Sequence, residues 1–136
     1  MKLQTATRLA LYAVLELARD RERQRSAVEL AESLGVSTNH LAKVMRSLGR
    51  AGLVAAERGA AGGYRFTGNA RRTTLMDIVA LFEEQPGSRA PESGEGTPVG
   101  AAIASVLREI DEIAEATLRS ITIETLLRQG NIVRQS

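Results

Sequence analysis

Residues 26–67 read SAVELAESLGVSTNHLAKVMRSLGRAGLVAAERGAAGGYRFT, and the order of local signals in this stretch predicts the fold. Ser26 and Ser37 are short polar residues of the kind that cap helix N-termini, and Glu29 follows Ser26 at the spacing of a capping box. Gly35 ends the first of two helices, because glycine adopts the left-handed conformation common just past a helix end. The stretch therefore predicts two helices joined by a tight turn.

Both predicted helices carry apolar residues at helical spacing, and a β-hairpin is predicted after them. The residues expected to face inward are Val28, Leu30, Ala31 and Leu34 in the first helix and Leu41, Val44, Met45 and Leu48 in the second. Two short strands follow at residues 53–57 and 63–67, and the glycine-rich run 59–63 supplies the turn. This order of elements is that of a winged helix-turn-helix.

The flanking sequence completes a mainly α fold with this small β-hairpin. A helix is predicted over residues 3–19, a solvated charged connection over 19–25, and a helix capped by Thr74 over 75–84. After a loop come a long helix from residue 99 to about 120 and a short helix, capped by Thr122, over 123–128.

This pattern divides the chain into three parts. We expect a winged helix-turn-helix DNA-binding domain at 1–84, a flexible loop rich in Pro, Gly and Ser at 85–98, and a dimerisation helix with a short terminal helix at 99–136.

The long helix is apolar along one face over about five turns and needs a partner. A second copy of the chain could cover this face, which predicts a homodimer that binds a near-palindromic operator. The expected dimerisation residues are Ile103, Val106, Leu107, Ile110, Ile113, Ala114, Thr117, Leu118 and Ile121.

Charge and composition narrow the function. Residues 1–75 hold 13 basic and 6 acidic residues, whereas residues 76–136 hold 5 and 10, so the first half suits a polyanionic partner. The chain has no cysteine and a single histidine, His40, which argues against disulfides, thiolate zinc sites and a His-based metal site. We expect no metal and no cofactor. No apolar run could span a membrane and no signal peptide is recognisable, so we expect a cytoplasmic protein.

The expected partner is double-stranded DNA. The N-terminal turn of a recognition helix faces base edges in the major groove, and Thr38, Asn39 and His40 occupy that turn here. Lys43 and Arg46 lie one turn further along, where a helix meets phosphates or guanine. In the hairpin, arginines flank a narrow glycine tip that can approach the minor groove.

Three alternatives to a DNA-binding protein without an effector are a protein-interaction module, a DNA-binding protein with an effector, and an enzyme. The same hairpin and long helix could dock onto a protein, giving a winged-helix interaction module that does not read DNA. A DNA reader could respond to an unknown small molecule or protein effector, or to none. An enzyme is not expected, because the sequence shows no paired catalytic carboxylates, no nucleophile beside a histidine and no phosphate-binding loop.

Over nearly its whole length, the chain resembles the bacterial regulators that include IscR, NsrR and CymR. Residues 36–44, VSTNHLAKV, resemble the recognition helix of the NsrR branch. The helix end and the wing are similar at residues 48–54, LGRAGLV, and 58–65, RGAAGGYR. Similarity continues in LALYA at 9–13, TLMDIV at 74–79 and TIETLL at 122–127.

The resemblance implies a transcription regulator, most often a repressor, that dimerises through the long helix. The DNA-binding positions that it carries over are Ser37, Thr38, Asn39, His40, Lys43, Arg46, Arg58, Gly59, Gly62, Gly63, Tyr64 and Arg65.

The chain departs from this family in one chemical respect. Many members bind an iron–sulfur cluster through three cysteines in the loop before the long helix. Here that loop contains none, and the last cysteine would fall near Gly100. Thiolates are the usual cluster ligands, so we expect a regulator without the cluster.

Overall fold

The computed structural model describes residues 2–59, 62–84 and 94–130, and it confirms a mainly helical fold with one antiparallel hairpin. The elements in chain order are α1 (Thr5–Ala18), α2 (Ala27–Leu34), α3 (Thr38–Arg50), β1 (Val54–Glu57), β2 (Gly63–Phe66), α4 (Leu75–Val79), α5 (Pro98–Ser120) and α6 (Ile123–Gln129).

One hydrophobic core holds together a head formed by every element except α5. The core residues of α1 are spaced three and four apart, as expected for one face of a helix. Phe66 brings β2 into the core at 2% exposure, and Ile123 and Leu127 bring in α6 at 0% and 7%. The predicted division grouped α6 with the long helix, whereas its side chains pack into the core of the head.

The capping signals around α2 and α3 are largely confirmed. Ser37 Oγ accepts from His40 N at 3.1 Å, and Gly35 has φ 70° in the left-handed region. Ser26 Oγ accepts from Glu29 N at 3.1 Å, but the Glu29 carboxylate binds arginines of the preceding connection instead of completing a capping box. Val28, predicted to face inward, is 58% exposed because it lies on the outer side of α2.

Helix α4 is shorter than predicted. It ends at Val79, and hydrogen-bonded turns follow, with Leu81 N bonded to Ile78 O and Phe82 N to Val79 O. The Glu83 carboxylate accepts from the backbone N–H of Gln4 and from the Thr7 hydroxyl. These contacts join the end of this segment to the start of α1. Helical spacing within residues 75–84 cannot predict such a long-range interaction.

The predicted solvated connection between α1 and α2 is wrong at its C-terminal end. The Arg25 side chain is only 13% exposed, and its guanidinium contacts Glu16 at 3.0 Å and Glu29 at 2.9 Å. The Arg25 backbone forms an isolated antiparallel bridge with Tyr64 of β2. The end of the connection is therefore fixed against the hairpin.

Helix α5 begins at Pro98, one residue before the predicted start, with Thr97 Oγ1 accepting from Gly100 N at 3.0 Å. No residue of α5 is buried. Its C-terminal end meets the head, because Ile121 O accepts from Leu75 N at 2.9 Å. Most of the predicted flexible loop, residues 85–93, lies outside the described residues. Within the described part of the chain, no helix is both long and apolar enough to cross a bilayer.

Phe66 is the largest side chain that the hairpin places in the core. We expect Phe66→Ala to lower the free energy of unfolding by about 3–5 kcal/mol, because a buried ring leaves a cavity. Chemical denaturation measures this loss. Tyr12→Ala is the matched control, since Tyr12 is 54% exposed and should change stability by less than about 0.5 kcal/mol. Equal losses from both variants would show that Phe66 does not anchor the hairpin.

Candidate nucleic-acid interface

The orientation of α3 is fixed by the face that it buries. Leu41, Val44, Met45 and Leu48 are each at most 2% exposed and pack in the core of the head. Because an α-helix repeats every 3.6 residues, the side chains between these positions must point away from the core. One face of α3 is therefore committed to burial, and the other is presented outward.

The outward face carries the polar residues that the sequence singled out. Asn39, Lys43 and Arg46 are exposed and, at spacings of four and three, form one row along the helix. Arg50 continues this row by a further four residues and is also exposed. Arg50 was not predicted as part of this row, because the sequence motif placed it at the helix end. Its spacing of four residues from Arg46 could have indicated its position.

The first turn of α3 adds hydrogen-bonding groups beside this row. Ser37 and Thr38 are exposed, and His40 is partly exposed. The Ser37 hydroxyl is already an acceptor for the His40 backbone N–H, so its first role is to cap the helix. The free N–H groups of a helix start are favourable positions for a phosphate oxygen.

The wing is the hairpin of β1 and β2. Val54 lies opposite Phe66 and Ala55 opposite Arg65 in the antiparallel register. Gly59 has φ 108°, which side-chain-bearing residues rarely adopt. A Cβ on Gly62 would lie 2.3 Å from the Glu57 carbonyl oxygen, so the chain can turn back this tightly only with glycine. Two residues of the predicted tip, 60 and 61, lie outside the described residues.

The wing is attached to the rest of the head through Tyr64 and Gly63. The Tyr64 backbone N–H donates to the Arg25 carbonyl oxygen at 2.7 Å, and the Tyr64 carbonyl oxygen accepts from the Arg25 backbone N–H at 2.9 Å. A Cβ on Gly63 would lie 2.4 Å from Arg25 O, so glycine allows this close approach of two backbones. Tyr64 is partly buried and packs against the core, which gives it a structural role besides the predicted contact with DNA.

The two predicted wing arginines differ in their surroundings. Arg58 is exposed directly after β1. Arg65 points outward from β2 and lies 3.5 Å from the Glu57 carboxylate, with both side chains almost half exposed. The wing thus carries two exposed cations, and one of them, Arg65, already has an acidic neighbour.

The family model described as "Iron-dependent Transcriptional regulator" matches residues 3–129 of this chain. The chain belongs to the Rrf2 family. The resemblance to IscR, NsrR and CymR is thereby confirmed, and the family consists of transcription regulators.

Individual Rrf2 relatives agree with this result. BadM of Rhodopseudomonas palustris, which carries the name of an HTH-type transcriptional regulator, is 49% identical over 128 residues that cover 94% of this chain and 82% of BadM. The HTH-type transcriptional repressor NsrR of Streptomyces coelicolor is 31% identical over 131 residues, covering 93% of this chain and 88% of NsrR.

Solved structures show the same fold. IscR of T. potens superposes with a TM-score of 0.76 at 27% identity, covering 100% of this chain and 94% of IscR. CymR, the global cysteine regulator of B. subtilis, superposes with a TM-score of 0.77 at 28% identity, covering 95% of this chain and 98% of CymR. The winged helix-turn-helix followed by a long helix is therefore shared with structures of this family.

The residues of this chain do not fit an iron–sulfur cluster bound by thiolates. The chain has no cysteine, and residues 2–59, 62–84 and 94–130 contain no group of three His, Asp or Glu residues that could hold a metal ion. At Gly100, near which the last cluster cysteine would align, a Cβ would lie 1.7 Å from the Gly94 carbonyl oxygen. The backbone of residue 94 thus occupies the space that a cysteine side chain at 100 would need.

Gly63→Ala tests how the wing is attached. We expect the added methyl group to separate Arg25 from Tyr64, because it would overlap the Arg25 carbonyl oxygen. Amide hydrogen exchange should become faster at Arg25 and Tyr64, and the protein should lose about 1–3 kcal/mol of stability. Gly96→Ala is the control, since no atom lies within 4 Å of a Cβ at that position. Unchanged protection at Tyr64 would contradict this attachment.

Proposed function

We propose that this protein is a sequence-specific DNA-binding transcription regulator, acting as a repressor, that binds a near-palindromic operator as a homodimer and works without an iron–sulfur cluster. The observation that carries the proposal is the exposed row of Asn39, Lys43 and Arg46 on α3, held outward by the buried face of the same helix.

The row suits the major groove, which is about 12 Å wide and admits one α-helix. Asn39 is in the first turn of α3, from which side chains reach base edges, and an Asn amide can form two hydrogen bonds to adenine. Lys43, Arg46 and Arg50 lie progressively further along the helix and supply cations for phosphates or guanine. In this arrangement Asn39 contributes sequence preference and the cations contribute most of the affinity.

The wing supplies a second contact. Arg58 and the narrow glycine turn can approach the minor groove or its flanking phosphates while α3 lies in the major groove. The contact between the wing and DNA depends on the position of the hairpin. The backbone pairing of Tyr64 with Arg25 fixes this position, so Tyr64 can support DNA binding without contacting a base.

The apolar face of α5 supports the homodimer. Its large side chains Ile103, Val106, Leu107, Ile110 and Ile113 are 48–61% exposed. The Thr117 hydroxyl donates to Ile113 O at 2.9 Å, so its polar atom is satisfied within the helix and its methyl group can join the apolar face. Ala114, Leu118 and Ile121 are partly buried and continue this face toward the head. A second copy of the same face would remove these side chains from water.

We expect repression, because a dimer bound across a promoter blocks polymerase. We expect a cytoplasmic location, because a protein that binds chromosomal DNA works there. The head, residues 1–84 together with α6, reads DNA, while α5 joins two heads whose recognition helices face half-sites about 34 Å apart or a multiple of that. No catalytic role is proposed, because the outward residues suit DNA contact and form no acid–base pair.

Lys43→Ala and Asn39→Ala separate affinity from base preference. Lys43→Ala should weaken binding to all duplexes and reduce the slope of log affinity against log salt by about 1, because one phosphate contact is lost. Asn39→Ala should instead lose about 1–3 kcal/mol of discrimination at one base pair. Electrophoretic shifts across salt concentrations, on sites found by genome-wide mapping of bound DNA, measure both effects.

Arg108→Ala is the matched control for Lys43→Ala, because it removes an exposed cation from α5 rather than from α3. If the wild-type protein retards no genomic fragment specifically and Lys43→Ala behaves as wild type, a winged-helix protein-interaction module becomes the better description. An equal loss on all sequences from Asn39→Ala would remove its base-reading role.

Ile110→Glu tests the homodimer. Ile110 lies in the middle of the apolar face, and a carboxylate there would be buried without a partner in the dimer, which is costly. Sedimentation should show wild type as a dimer and Ile110→Glu as a monomer that binds full operators much more weakly. Glu112→Lys, a charge change on the opposite side of α5, should remain dimeric. A monomeric wild-type protein at micromolar concentration would refute the proposed assembly.

A further inference from the structure

The outer face of the wing contains a carboxylate, that of Glu57, beside the cation of Arg65. Glu57 lies opposite Gly63, and Arg65 lies opposite Ala55, so Glu57 and Arg65 are diagonal neighbours on one face of the hairpin. Val54 and Phe66 belong to the other face, which is buried in the core. Glu57 and Arg65 therefore share the face directed away from the core.

A third residue completes this cluster from outside the hairpin. Because Arg25 pairs with Tyr64 in antiparallel sense, Gln24 lies beside Arg65 along the edge of the sheet. The Gln24 amide nitrogen donates to one Glu57 carboxylate oxygen, while Arg65 Nη2 lies 3.5 Å from the other. One acidic group thus engages both donors.

We propose that Glu57 is an affinity-limiting residue of the wing that occupies Arg65 and Gln24 as an internal substitute for a DNA phosphate. This inference rests on the proposed function and deepens it. Nothing in the sequence motifs singled out Glu57 or Gln24, because their relation to Arg65 depends on the register of the hairpin and on the bridge between Arg25 and Tyr64.

The chemistry of the exchange is simple. Carboxylate and phosphate oxygens accept hydrogen bonds from the same guanidinium and amide donors. An approaching phosphate must draw Arg65 away from Glu57, and the remaining negative charge then repels the phosphate. Two unit charges about 6 Å apart in water interact by about 0.7 kcal/mol, which corresponds to about threefold in affinity.

The test measures how Glu57→Gln changes binding to a duplex of unrelated sequence at low salt, so it does not depend on knowing the operator. Glutamine keeps the side-chain length and an acceptor for Gln24 but removes the charge. We expect binding about three times tighter than wild type, with the gain fading as the salt concentration rises to 0.5 M and the charges are screened. Circular dichroism and thermal unfolding confirm that the variant is folded.

Two further variants identify the mechanism. Glu112→Gln removes the same charge from the side of α5 opposite its apolar face and should leave affinity within about 1.5-fold of wild type, because α5 is not among the elements proposed to contact DNA. In an Arg65→Ala background, Glu57→Gln should give less than half of its gain, because without Arg65 no guanidinium holds a phosphate within about 6 Å of residue 57. Lys43→Ala, which should weaken binding to the same duplex, reports separately on the proposed function.

The outcomes distinguish a failure of the inference about Glu57 from a failure of the proposed DNA binding. If Lys43→Ala weakens binding but Glu57→Gln does not tighten it, the inference about Glu57 is wrong while DNA binding stands. An undiminished gain in the Arg65→Ala background, or an equal gain from Glu112→Gln, would reduce Glu57 to one anion among many and also overturn the inference. If wild type binds no duplex even at 50 mM salt, both proposals fail together.

Discussion

Burial of the apolar face of α3 is the constraint on which the rest of the head depends. Leu41, Val44 and Leu48 are almost fully removed from water, and they meet side chains from α1, the hairpin and α6 in one core. Turning α3 by one residue would bring a cation such as Lys43 toward the core, where an unpaired charge is very costly. The same packing that stabilises the head therefore also sets which residues of α3 face outward.

Much of this could be predicted from the sequence, because it depends on short-range periodicity. The buried residues of α3, the caps at Ser37 and Gly35 and the existence of the hairpin all follow from spacing within a few residues. The errors have a different physical origin. Val28 fits the helical pattern of α2 but lies outside the core, and α4 ends early where Glu83 binds the start of α1. The early end of α4 depends on a partner 79 residues away in the chain.

The candidate site shows the same division between local and distant information. The outward row of α3 was predicted residue by residue apart from Arg50, which the same helical spacing could have indicated. The wing was predictable as a turn with arginines, but its position was not, because Arg25 pairs with Tyr64 across 39 residues of chain. That pairing also brings Gln24 to Glu57, so the electrostatics of the wing are a property of the folded sheet and cannot be obtained from a motif.

The location of the charges matters more than their number. The first 75 residues have a surplus of basic residues, yet Arg25 and Arg65 face Glu16, Glu29 and Glu57 and are partly neutralised within the head. By contrast, no residue among 2–59, 62–84 and 94–130 forms an ion pair with the three cations of the α3 row. A phosphate approaching α3 therefore meets cations that need not first leave an acidic partner, whereas at Arg65 the wing must exchange one anion for another. We therefore expect α3 to make the stronger contact with DNA and the wing to make a weaker, adjustable one.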